Sequence, residues 1–136
     1  MVRNEKATRD IVESVHAVVS ERIFNEGGTK DINNISLGNY TPAYLKRRIK
    51  KGRGTSPKIR LQWSQTFKEG FQVIALPSNP GKFRFGSGWM NIKLGDLSEW
   101  LEDKYNKKDK IFALSEEEEK LFYNLNEKYI QRNLNA

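Results

Sequence analysis

Between Asn4 and Glu26 apolar residues return every three or four positions, at Ala7, Ile11, Val12, Val15, Val18, Val19 and Ile23, while Glu5, Arg9, Asp10, Glu13 and Glu21 fall off that line. The spacing predicts one amphipathic helix of about six turns, closed by Gly27-Gly28 and in need of a surface to lie on. The next stretch, GGTKDINNISLGNY at 27 to 40, is rich in Gly and Asn and reads as an irregular connection. Thr41-Pro42 then supplies an N-cap and a proline at the first helical position, opening a short helix through Tyr44, Leu45, Arg48 and Ile49 that Gly52 to Pro57 breaks.

After Pro57 the period becomes two. Ile59, Leu61 and Trp63 alternate with Lys58, Arg60 and Gln62, which predicts a strand with one buried face. Phe71, Val73 and Ala75 repeat the pattern up to Leu76, PSNPG at 77 to 81 turns the chain, and Phe83 and Phe85 alternate on the returning strand. A further short strand is expected around Trp89 to Leu94, completing a small antiparallel sheet. Asp96 with Glu99 opens a helix at about 96 to 106 carrying Leu97, Trp100, Leu101 and Tyr105, and polar residues from Asn106 to Lys110 interrupt it. Ser115 with Glu118 starts a last helix whose inward stripe is Leu121, Phe122, Leu125 and Tyr129.

The composition fits a folded chain: 136 residues, 37% hydrophobic and 30% charged, with three Trp, seven Phe and five Tyr. That length is one ordinary domain, 1–136, with an irregular basic segment at about 27–57. There is no cysteine and one histidine, His16, which excludes disulfides and thiolate metal sites and leaves no second histidine for a zinc site or a catalytic pair. His16 stands at the edge of the apolar stripe and is read as a helix-flank residue, a titrating switch or a ligand being the alternative. The stretch NPGKFRFGSG lacks the spacing of a phosphate-binding loop, and the neighbours Glu102 and Asp103 point in different directions on their helix, so they are no acid-base couple. The expectation is a chain without catalysis, cofactor, metal or small-molecule substrate. No run approaches the length of a membrane span, the longest aliphatic one being Val73-Ile74-Ala75-Leu76, so a soluble, unexported chain is expected.

Charge alters this picture most. The chain carries +7, yet nine basic residues and no acid lie between Asp31 and Glu69, so the remainder carries a net −2. The densest stretch, KRRIKKGRGTSPKIR at 46 to 60, holds Lys46, Arg47, Arg48, Lys50, Lys51, Arg53, Lys58 and Arg60. Such a block neutralises phosphates, meets the acidic surface of a neighbouring protein, or stays solvated. Against nucleic acid, the sequence has no zinc-finger spacing, basic zipper or RNA-binding aromatic motif, and its aromatics alternate as core positions do. The acids Glu116 to Glu119 lie at the positive end of the last helix, and dipole compensation accounts for them more cheaply than a docking patch does.

The order of features resembles the virion-morphogenesis and tail-completion proteins of tailed double-stranded DNA phages. In that family a Y-S-x-A-Y-x-x-(K/R) segment, a basic stretch, a V-(N/D)-L-x-x-(T/S)-G element, a helical turn and a strand follow one another. Here Tyr40-Thr41-Pro42-Ala43-Tyr44, the block from Lys46 to Arg53, Ile59 to Ser64, and Phe67 to Val73 take those places. The closing (I/R)-F-x-L-(S/T)-x-x-E segment is matched by Ile111-Phe112-Ala113-Leu114-Ser115 with Glu118. Ser64-Gln65 departs from the family's T-G. The resemblance spans nearly the whole chain. It implies an α+β fold, with a long N-terminal helix and C-terminal helices packed on a small twisted antiparallel sheet. It also implies a virion protein assembled in the host cytoplasm, a homo-oligomeric ring, hexamer or dodecamer, at the head-tail neck or upper tail. Its expected partners are itself, the flanking portal, adaptor or tail proteins, and double-stranded DNA passing through the lumen. A small basic protein binding nucleic acid without sequence preference is the alternative.

Overall fold

Helix α1, Glu5–Phe24, forms along the predicted stripe and turns Thr8, Val15, Val19, Arg22, Ile23 and Phe24 inward. The computed structural model describes residues 5–25, 27–61, 65–77, 84–105 and 109–134. After α1 come α2 (Pro42–Lys50), α3 (Gln65–Gly70), β1 (Gln72–Leu76), β2 (Arg84–Gly88), α4 (Ile92–Tyr105) and α5 (Glu116–Leu134). The architecture is α+β, with helices at both ends and an antiparallel β1–β2 pair in register from Gln72↔Gly88 to Leu76↔Arg84. Val18, at the edge of the buried arc of α1, is 45% exposed rather than part of the core.

Apolar burial holds these elements together. Val15, Val19, Ile23 and Phe24 of α1 join Phe67 of α3, Phe71, Leu101 of α4 and Ile111 in one buried cluster, and Leu121, Phe122 and Leu125 of α5 pack against it. Phe67, fully buried, stacks on Trp89 at 4.6 Å between ring centres and meets Phe24 and Phe112 edge-on. The Trp89 indole N–H donates to the Phe67 carbonyl at 2.7 Å, so the large ring is buried with its polar atom satisfied. His16 fastens α1 to the sheet: its Nε2 donates to the Phe71 carbonyl at 3.1 Å. Its Nδ1 lies 2.8 Å from the Ser87 hydroxyl of β2 and forms a second hydrogen bond there.

Among the described residues two expected strands are not formed, at 58–61 and at 89–94. Ile59 and Leu61 are buried and Lys58 is exposed, as the alternation requires, but the backbone there forms only an isolated bridge, Asn39↔Lys58. Its hydrogen bonds go instead to the 29–40 connection: Thr29 N–H to Ile59 O at 2.9 Å, Ile59 N–H to Gly38 O at 3.0 Å, and Leu61 N–H to the Thr29 hydroxyl at 2.8 Å. A period of two therefore reports an extended backbone, not a ladder. Trp63, with the rest of 62–64, lies outside the described residues, as do 78–83 of the expected hairpin turn and 106–108.

The second absent strand is 89–94. Helix α4 starts at Ile92, four residues before the expected Asp96, because the Asn91 side chain accepts from the N–H groups of Lys93 at 3.0 Å and Leu94 at 3.3 Å. At α5 the expected capping box is present. Glu118 N–H donates to Ser115 Oγ at 3.1 Å while Glu118 Oε1 accepts from Ser115 N–H at 2.8 Å. Glu102 accepts from the N–H groups of Ile111, at 2.9 Å, and Phe112, at 3.2 Å, and so holds the connection from α4 to α5.

Candidate functional site: a cationic face on helix α2

Both ends of α2 are closed. The Thr41 hydroxyl accepts from the Tyr44 N–H at 3.3 Å, and Pro42 occupies the first turn, where its missing N–H has no intrahelical partner to lose. At the far end Gly52 N–H reaches Ile49 O at 3.0 Å and Arg53 N–H reaches Arg48 O at 2.9 Å, the paired bonds of a Schellman closure. Gly52 adopts φ +69°, a left-handed conformation that side-chain-bearing residues resist. The basic block thus stands on a short helix with a fixed start and stop.

Its inner face is braced by aromatic rings. The Tyr40 hydroxyl donates to Arg60 O and accepts from Arg60 N–H, both at 3.1 Å. The Arg48 guanidinium lies 4.4 Å from the centre of the Tyr40 ring and donates to Arg53 O at 3.1 Å. From α4, Lys104 places its ammonium 4.7 Å from the Trp100 ring centre and 5.8 Å from that of Tyr44. Lys104 belongs to this cationic region although it lies 51 positions beyond Arg53 in the sequence.

The eight expected site residues therefore divide in two. Arg48 and Arg60 are half-buried and turn their guanidiniums into the fold, Arg60 donating to Phe24 O at 3.1 Å at the C-terminal end of α1, where a cation offsets the helix dipole. Lys46, Arg47, Lys50, Lys51, Arg53 and Lys58 are exposed. On the outer side of α2, Lys46, Ile49 and Lys50 share one face at i, i+3 and i+4, and Ile49 is 47% exposed between the two cations. The sequence patterns above do not predict the buried Arg22–Glu118 pair; its local signal is an arginine three residues after Val19 on the apolar stripe of α1.

Behind α2, burial pushes the Tyr105 phenol up from its ordinary value near 10 to about 12; Tyr40 and Tyr44 add to the rise and Arg48 opposes it. A raised folded-state pKa leaves stability intact below about pH 10 and removes it as pH climbs through about 12, because the unfolded chain gives up the proton first. Urea midpoints measured from pH 9 to 12 are expected to fall less for Tyr105→Phe than for the unaltered chain. Parallel curves would mean that the ring titrates as freely folded as unfolded.

Among the described residues no group of three or more His, Asp or Glu side chains converges as a metal site would, and no helix is long and apolar enough to cross a membrane. Comparison of the chain with protein-family models, with curated proteins and with solved structures finds no match.

Proposed function

We propose that the chain is a non-catalytic structural subunit of a tailed-phage virion, a neck or tail-completion protein that forms a homo-oligomeric ring joining head to tail. Support comes first from the run of short motifs from Tyr40 to Val73 and from Ile111 to Glu118. The structural observation that carries the reading is the firmness of the cationic face. Exposed Lys46, Arg47, Lys50 and Lys51 stand on a helix capped at both ends and braced by Tyr40 and Arg48. A subunit that must meet macromolecular neighbours in one register needs charges held in place, since charge complementarity across an interface fixes register and suppresses wrong partners. The rival, a nucleic-acid-binding protein, draws on the same cations, but Tyr40 and Tyr44 are engaged with Arg48, Arg60 and each other rather than offered for base stacking.

Electron microscopy and mass measurement of the purified chain test the reading. Annular particles of one stoichiometry, and the chain's presence in purified virions, are the expected results. A chain that remains monomeric and retains duplex DNA with a steep salt dependence would establish the rival. Reversing Lys46, Arg47, Lys50 and Lys51 to glutamate is expected to impair assembly while lowering folding stability by no more than about 2 kcal/mol, since exposed substitutions each cost about 0.5 kcal/mol or less. Arg48 is left out of that set because its guanidinium packs on Tyr40. Unfolding of the fourfold variant would show that the face is internal to the fold.

A further inference from the structure

A second surface lies apart from the cationic face. Helix α1, the loop at 30–34 and the first turn of α5 enclose a cleft of about 740 Å³, in which Val18 and Ile32 stand beside Glu21, Glu116 and Glu117. Glu118, also in its wall, is neutralised by Arg22, whereas Glu21, Glu116 and Glu117 are exposed. Lys30 is the cleft's other basic wall residue, and Lys120 draws on Glu116 at 3.4 Å, so the rim remains acidic mainly through Glu21 and Glu117. Val18 thus offers an exposed apolar side chain between acids, and Ile49 offers one between cations.

We infer that the outer face of α2 in one copy of the chain docks into the α1–α5 cleft of the next copy, Ile49 packing on Val18 and Ile32 while Lys46 and Lys50 meet Glu21 and Glu117. This rests on the homo-oligomeric reading above and supplies its subunit contact. The two surfaces share no residue, so the contact is heterologous: each copy uses its α2 face on one neighbour and its cleft on the other, which closes into a ring when the rotation between copies returns on itself. Opposite charge steers the encounter and sets register, and salt weakens that part by screening. The isoleucine favours protein over nucleic acid as the occupant, because a phosphate backbone gives Ile49 nothing apolar to bury against and leaves the acidic cleft unused.

The test reads association by sedimentation velocity at low and high salt, with circular dichroism as the check on folding. Two charge-swapped chains are made, Lys46→Glu/Lys50→Glu on the helix and Glu21→Lys/Glu117→Lys on the cleft. Each alone should associate at least about tenfold more weakly than the unaltered chain, since like charges then face each other. An equimolar mixture should recover assembly, because each altered surface finds its opposite on the other chain. Assembly that persists in both variants, or that mixing fails to restore, overturns this contact and leaves the ring to some other one. An unaltered chain that is monomeric at every concentration overturns the contact and the ring together. Loss of duplex-DNA retention in Lys46→Glu/Lys50→Glu with unchanged assembly assigns the face to nucleic acid and overturns the inference.

Discussion

Arg22→Leu is expected to destabilise the chain by about 3–5 kcal/mol, because it strands an ionised glutamate inside the fold. Arg22 is 8% exposed and Glu118 3%. The guanidinium has five N–H groups, and five bonds use them. Nε donates to Glu118 Oε2 at 2.9 Å and Nη2 to Glu118 Oε1 at 3.1 Å; Nη1 reaches Lys30 O at 2.9 Å and Ile111 O at 2.8 Å, and Nη2 also reaches Ala113 O at 2.6 Å. One side chain thus joins α1 to the 30–34 loop, to the α4–α5 connection and to the start of α5. Leucine replaces the stem and none of the donors, leaving three carbonyls and a carboxylate to find other partners. Lysine is not a conservative alternative, having three donors on a point charge and no planar fork for bidentate pairing. Urea denaturation followed by circular dichroism measures the loss. The pair Arg22→Leu/Glu118→Gln should recover part of it, since glutamine retains the cap on Ser115 and removes the buried charge. A loss below about 1 kcal/mol for Arg22→Leu would place the pair in contact with solvent.

That network shows where sequence reading stops. Helix α1, the Thr41-Pro42 start of α2 and the Ser115/Glu118 box of α5 were legible because each signal sits within a few residues of the hydrogen bond it creates. Glu118 was recognised as a cap, but its second role depends on a partner 96 positions away, and no local pattern reports such a distance. The start of α4 lies four residues before the expected Asp96 because the deciding group is the single Asn91 side chain, inside the stretch expected as a strand. Around Ile59 the alternation correctly gave burial but not the identity of the hydrogen-bond partners, which belong to an irregular loop. The cationic block was legible as charge. Its division into exposed cations and two anchored arginines was not, since that depends on where Tyr40 and the end of α1 fall in space.

Val15→Asp is expected to unfold the chain at neutral pH, and to do so less at acid pH. Val15 is 4% exposed and belongs to the cluster with Val19, Ile23 and Phe71. The neighbouring imidazole of His16 is engaged with Phe71 O and Ser87 Oγ and packs on the Phe71 ring, 4.6 Å between ring centres. A carboxyl there escapes the cost of burying a charge only by staying protonated, and at pH 7 that needs a pKa about 3 units above the usual 3.9, or about 4 kcal/mol. Lost valine packing adds about 1 kcal/mol, and the total approaches the whole stability of an ordinary domain, about 5–15 kcal/mol. Because the folded-state pKa is the raised one, the variant's deficit is smallest below about pH 4, where the carboxyl is protonated folded or unfolded, and grows as pH rises toward 7. Denaturation midpoints of the variant and the unaltered chain should therefore converge on acidification, while Val15→Asn should show a deficit that does not change with pH. A Val15→Asp chain as stable as the original at pH 7 would show that this stripe of α1 meets solvent or a second subunit rather than the monomer's own interior.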